Sequence, residues 1–148
     1  MSDRCSRIFL ATAAAILLVS PGAPAAVAAD CRTDCRTGGP EVRIAACTQI
    51  LQSNPSDFNA LANRGVGFRT GEYDRAVADF NQARRLDPKD VAALSLERGM
   101  AYAGSGDSQT AITDLSEALR RDSSLVQAYL GGRSLTKRSD STTFPWPI

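Results

Sequence analysis

The chain has 148 residues, with 17 basic and 16 acidic side chains, four cysteines and no histidine. The missing histidine excludes Ser-His-Asp and Cys-His catalysis, histidine proton shuttling and histidine metal ligation. The near-zero charge has no strong basic cluster, which argues against nucleic acid and anionic membranes as partners. The densest basic spots, Arg84-Arg85 and Arg120-Arg121, read as solvated last turns of helices, where cations suit the negative end of the dipole.

Residues 1–29 read as a secretory signal. Arg4 and Arg7 form a positive start, Ile8 to Val19 an apolar run, and Pro21 to Ala29 a small-residue stretch. The 12-residue apolar run is short against the roughly 20 residues that span a bilayer. Ala26-Val27-Ala28 and Val27-Ala28-Ala29 both suit a signal peptidase, so a mature chain would start at Ala29 or Asp30. Asp30, just before Cys31, argues against a lipid-attachment site. Cleavage removes two of 17 basic and one of 16 acidic residues, which leaves 15 of each and no membrane span. A periplasmic or secreted location follows as the expectation. About 119 residues remain, enough for one domain with a modest core.

Three cysteines stay with that domain: Cys31, Cys35 and Cys47. In an oxidising compartment disulfide pairing is the default. Metal or redox chemistry is the sharper alternative, but a closed zinc site wants four ligands and redox dithiols usually have two residues between them. A small exported metal- or redox-active protein using these three thiols is therefore the lesser reading.

From Asp57 the pattern becomes helical. Ala60, Leu61, Gly65 and Phe68 trace one narrow apolar face, stopped by Gly71. Tyr73, Ala76, Val77, Phe80, Ala83 and Leu86 trace a second helix, closed by Asp87-Pro88. Ala93, Leu94, Leu96, Met100 and Tyr102 give a third, broken at Gly104 to Gly106. Ala111, Ile112, Leu115, Ala118 and Leu119 give a fourth, ending near Ser123. On these helices Asp57, Asp74, Asp79, Asp114 and Glu117 read as a solvated carboxylate face. No phosphate-cradling loop, nucleophile elbow or metalloprotease helix is present, so no enzyme and no cofactor are expected.

The second helix pair repeats the first. Gly65-x-x-Phe68, Gly71, Ala76, Phe80-x-x-Ala83 and Asp87-Pro88 return as Gly99-x-x-Tyr102, Gly106, Ala111, Leu115-x-x-Ala118 and Asp122-Ser123, at an interval of 34 or 35 residues. A mid-helix glycine costs about 1 kcal/mol against alanine. Accepted twice at one place of a repeat, Gly65 and Gly99 point to close approach of a paired helix, with Ala76 and Ala111 across the contact.

This pattern resembles the tetratricopeptide repeat family. The resemblance implies an all-α fold, a short right-handed solenoid of antiparallel helix pairs within residues 30–138. Its parts are a half repeat over 42–55, repeats over 57–90 and 91–124, and a capping helix over 125–138. In the half repeat Ile44, Cys47, Ile50 and Leu51 match a second helix and Pro55 the closing proline. The interval Gly65–Gly71 is one residue shorter than Gly99–Gly106. The cysteine stretch is similar to short exported repeat proteins of alphaproteobacterial type, which points to a Gram-negative cell. That likeness implies a Cys35–Cys47 bridge with Cys31 left over, or a Cys31–Cys47 pairing as the alternative.

The family likeness also implies function. First helices line a concave groove, and matching positions here are Asn59, Ala62, Val66 and Arg69, then Ala93, Leu96, Met100 and Ala103. Such a groove would take a protein or peptide with apolar side chains. Asn63 and Arg64 are similar to part of the family's clamp for acidic peptide ends, but Glu97 stands where a second such group is wanted. The expectation is a non-catalytic interaction module of the cell envelope. A structural fragment without a partner is the remaining alternative, since solenoids need about three repeats. The last ten residues, 139–148, read as a flexible tail, with Pro145 and Pro147 opposing helix and Phe144 and Trp146 able to fill a groove.

Overall fold

The computed structural model describes residues 25–138, with side chains over 31–137. Most of the expected signal and the whole tail therefore lie outside the described residues. Within them are seven helices and no strand: α1 (Ala25–Thr37), α2 (Pro40–Ser53), α3 (Phe58–Phe68), α4 (Tyr73–Leu86), α5 (Val91–Ser105), α6 (Ser108–Arg121) and α7 (Val126–Arg138). Each helix packs on the next. The first helices of successive pairs also meet, α1 with α3 and α5 with α7, whereas no two second helices pack comparably. The stack therefore keeps its first helices on the inner side, as an all-α solenoid of helix pairs.

The start of the stack differs from the expected half repeat over 42–55. α1 supplies the missing first helix, and α2 begins two residues earlier, with Pro40 in its first turn. The sequence conceals α1 because its only apolar positions after Asp30 are the cysteines, so no helical periodicity shows. Cys31 and Cys35, one helical turn apart, are both buried. Cys35 is bonded to Cys47 of α2, with Cα atoms 4.8 Å apart. Cys31 is not left over, because no cysteine among the described residues is free.

Glycines set the helix spacing. A Cβ on Gly65 would lie 2.6 Å from the Phe80 ring, and one on Gly99 would lie 3.0 Å from Leu115 and 3.2 Å from the Ala111 carbonyl. The expected contact between paired helices is therefore present, with Phe80 and Leu115 as its main partners. Two further glycines act toward the preceding helix. Gly67 leaves room for Ile44 of α2, and Gly104 lets the Tyr73 ring of α4 lie against α5. Gly104 does not break α5, which runs on to Ser105 and ends at Gly106 with a left-handed φ of 92°. The shorter turn after α3 closes without such a residue, through Gly71 and Glu72 N–H groups donating to the Phe68 carbonyl at 3.1 and 2.8 Å.

Beside Gly65 and beside Gly99 stands an arginine. Arg64 donates to both carboxylate oxygens of Asp79 at 2.7 and 2.8 Å, and Arg98 grips Asp114 in the same way at 2.7 and 2.6 Å. The remaining nitrogen of each reaches back one helix, Arg64 to Thr48 and Arg98 to Asn81. Asp79 and Asp114, read from sequence as solvated, are both 5% exposed. They are tolerated between the paired helices because a two-point guanidinium contact satisfies their oxygens. That grip by Asp114 raises the Arg98 guanidinium above its ordinary value.

The other three carboxylates keep surface roles. Asp57 caps α3 by accepting from the Ala60 N–H, Asp74 is exposed, and Glu117 pairs with Arg120 and Arg121. Two core clusters result. The first runs from Cys31 through Leu61 and Phe80 to Leu94, and the second joins Leu96, Ile112 and Leu115 to Ala128 and Leu135. α5 is the wall they share.

Removing Asp114 strands the buried Arg98 charge. Asp114→Ala should lower stability by about 3 kcal/mol, and the apolar double variant Arg98→Met/Asp114→Leu should lose less. Urea unfolding midpoints of the two variants check this ordering. Acid should act on the same end of the stack. Hydrogen bonds from Thr110 to Asp107, from Arg120 and Arg121 to Glu117, and from Ser124 to Asp122 hold these carboxyls below their usual range. A depressed carboxylate stabilises above its unfolded pKa and loses that contribution as pH falls through its folded value. Amide spectra followed from pH 7 to pH 3 should show α6 perturbed before α2.

Candidate peptide-binding groove

The inner face is built from α1, α3 and α5. Between α1 and α3 lies a cleft of about 310 Å³, walled by Arg32, Thr33 and Arg36 on one side and by Asn59, Ala60 and Asn63 on the other, with Ile50 below. Helical spacing puts these groups there. Arg32 and Arg36 are one turn apart on α1, and Asn59 and Asn63 one turn apart on α3. Asp57 stands at the mouth, its carboxylate 3.8 Å from Arg32, which is 68% exposed. Asn63 donates to the Asn59 carbonyl at 2.8 Å, which leaves the Asn63 side-chain oxygen able to accept.

The eight positions expected in the groove fall on two matching stripes, and their environments diverge. Asn59 and Ala93 are exposed. Ala62 and Val66 are half-buried against the first core cluster, and Met100 and Ala103 against the second. Leu96 is withdrawn into the second cluster at 7% exposure. The cause is α7, which packs across α5 and brings Ala128 and Leu135 into the same cluster. Leu96 is therefore a packing residue. Arg69 is also occupied: its Nε lies 3.1 Å from Glu97 and ties the end of α3 to α5. The cation expected to meet a ligand is thus neutralised by the residue that spoils the acidic-end clamp.

Arg32 and Arg36 were missed because the helix carrying them was not evident. The available signal was the i, i+4 spacing of Cys31 and Cys35, which places both on one helical face and turns the following arginines together to a neighbouring one. Asn63 stands out in the sequence only as part of the clamp that Glu97 spoils. Among the described residues no group of three or more histidine, cysteine or acidic side chains is placed to hold a metal. With Cys35 bonded to Cys47, the three thiolates required by the metal reading are not available. What the cleft offers is hydrogen-bond donors, acceptors and two cations over an apolar floor, which suits binding and supplies no activated nucleophile.

Comparison with known proteins bears on the helices that follow the cleft. The family model described as Tetratricopeptide repeat matches residues 67–126, which begin near the end of α3 and run to the start of α7. A protein of Mus musculus named FK506-binding protein-like is 35% identical over 57 residues, 38% of this chain and 16% of the relative. Its Rattus norvegicus counterpart matches to the same extent. The chain thus spans 16% of the length of these relatives.

The disulfide holds one wall of the cleft, since it fixes α1 to α2. Closing a loop of this size contributes roughly 3 kcal/mol by the chain-entropy account. Cys47→Ser or added reductant should lower the unfolding midpoint accordingly. Hydrogen exchange should show α1 amides losing protection first, with α5 and α6 affected least.

Proposed function

We propose that this chain, which matches the Tetratricopeptide repeat model over residues 67–126, is a non-catalytic binding module of the cell envelope whose first helices take a peptide or protein segment. The family is generally a non-catalytic interaction scaffold, and a protein partner follows at that level. The finer reading rests on one observation, the cleft between α1 and α3 with Arg32, Arg36, Asn59 and Asn63 on its walls. A segment lying there meets polar groups at the rim and Ile50 and Ala60 below, and it continues along Ala62 and Val66 toward Ala93 and Met100.

Export is supported by two independent features. One is the sequence of residues 1–29, with Arg4 and Arg7 ahead of a short apolar run. The other is the Cys35–Cys47 bridge, a bond that persists in an oxidising compartment. Cleavage before Ala29 or Asp30 would shorten α1 at its start and keep Cys31, Cys35 and both cleft arginines.

A photo-crosslinking residue at the exposed positions Asn59 and Ala93 should capture the same envelope partner from both sites. At Asp74, exposed at the start of a second helix, it should capture none. Capture from Asp74 alone, or different proteins from Asn59 and Ala93, would overturn the inner-face assignment. Edman sequencing of the exported chain should read Ala29 or Asp30 first.

A further inference from the structure

α1 carries one wall of the cleft and has little apolar hold on the stack. Over residues 31–37 only Cys31 and Cys35 are buried, while Arg32, Thr33, Arg36 and Thr37 are exposed. Its polar ties to α2 and α3 lie near the surface. Arg43 Nη2 donates to the Arg36 carbonyl at 3.3 Å, and Arg32 stands 3.8 Å from Asp57. Two buried atoms oppose docking: Asp34 Oδ2 on α1, and Nε of Arg43 on α2, whose guanidinium reaches α1. Neither has a hydrogen-bond partner among the described residues, and opening would return both to water. A helix of 13 residues is also near the margin for persisting alone in water.

We propose that the Cys35–Cys47 bond is a redox latch on the cleft, closed when oxidised and released by a dithiol reductant. This rests on the reading of the cleft as the binding site and adds its regulation. The bond joins α1 to α2 with Cα atoms 4.8 Å apart, and it holds the junction shut against the unsatisfied groups. After reduction α2 to α7 keep their own supports. These are the Arg64–Asp79 and Arg98–Asp114 pairs, the Arg64–Thr48 contact and the close approaches at Gly65, Gly67 and Gly99, none of which involves α1. α1 alone therefore undocks, and Arg32, Thr33 and Arg36 leave Asn59 and Asn63.

The cleft sets the direction of attack. Cys35 lines it and Cys47 is fully buried, so an incoming thiolate meets Cys35 Sγ and displaces the Cys47 thiolate. Arg32 and Arg36 stand on the same wall, two cations that draw an anionic thiolate inward. The second thiol of the reductant then attacks the mixed disulfide. The reductant leaves as its own disulfide, and two electrons and two protons pass to the protein as two thiols. A segment lying in the cleft covers Cys35 and holds α1 in place. Occupancy therefore protects the bond, and by linkage the bond favours occupancy.

Reduction-resistant spin labels on encoded ketone residues, which leave the thiols untouched, test the latch in the full-length exported protein. One pair at Thr37 and Asn59 spans the cleft, and one at Asn59 and Ala93 runs along the inner face, all exposed positions. Dithiothreitol should lengthen and broaden the first distance and leave the second unchanged, with mass spectrometry showing the bond open. An unchanged first distance in the reduced chain overturns the latch. Broadening of both also overturns it, since the bond would then support the whole fold. Cys31 is not free either, so Cys31→Ala must give the same result, and loss of the effect there overturns the proposal. Once α1 is docked in fewer than about one molecule in ten, the apparent affinity of the cleft falls about tenfold. Photo-capture at Asn59 should fall by that factor on reduction and recover on reoxidation. Equal capture in both states overturns the gate while the binding reading stands. No capture in either state defeats the binding reading, and the two distances then decide the latch alone.

Discussion

Two guanidinium–carboxylate pairs, Arg64 with Asp79 and Arg98 with Asp114, stand at matching places in successive helix pairs and tie three helices each. Each arginine leaves its own first helix, grips the aspartate of the second helix with two nitrogens, and sends the third back to the preceding helix. The arrangement depends on the neighbouring residue. Gly65 and Gly99 let the paired helices approach until Phe80 or Leu115 touches the glycine backbone, and Asp79 and Asp114 immediately precede those side chains. An Arg-Gly step on one helix thus meets an Asp-Phe or Asp-Leu step on the other. Apolar contact alone would leave such small helices free to slide, because it is not directional. A planar two-point contact fixes both height and rotation.

The ends of the stack lack that device and use others. At the start, no arginine–aspartate pair among the described residues joins α1 to α2, and the Cys35–Cys47 bond holds them together. The polar sequence of α1 contributes little apolar area, so a covalent link offsets what burial does not provide. At the far end, Gly132 stands where Arg64 and Arg98 have their counterpart, and α7 rests on α6 through Ala128, Gly131 and Leu135. Both ends bear on function. The first shapes the wall of the cleft, and the second decides that Leu96 is a core residue.

How far the groove could be read in advance follows from what each residue packs against. Ala62, Val66, Met100 and Ala103 are half-buried against the two core clusters, on helix faces that local geometry sets. Leu96 and Arg69 have the same local credentials and a different fate. Leu96 is covered by a helix 30 residues later in the chain, and Arg69 meets Glu97 from the next repeat. Neither event leaves a mark in the local pattern. The buried aspartates show the same limit from the other side. On an amphipathic helix a carboxylate looks solvated until the partner that replaces water is known.

The sequence by itself determined the helix pairs from Asp57 onward, the close approach at Gly65 and Gly99, and the repeat interval, all of which follow from short-range periodicity and glycine's missing side chain. Only the tertiary structure decided that Cys31 and Cys35 belong to a first helix, that Arg32 and Arg36 face Asn59 and Asn63, and that Asp79 and Asp114 are inside. Those facts depend on residues 12 or more apart meeting in space, where a charge is tolerated or a cleft is formed by what stands opposite and not by what stands beside it in the chain.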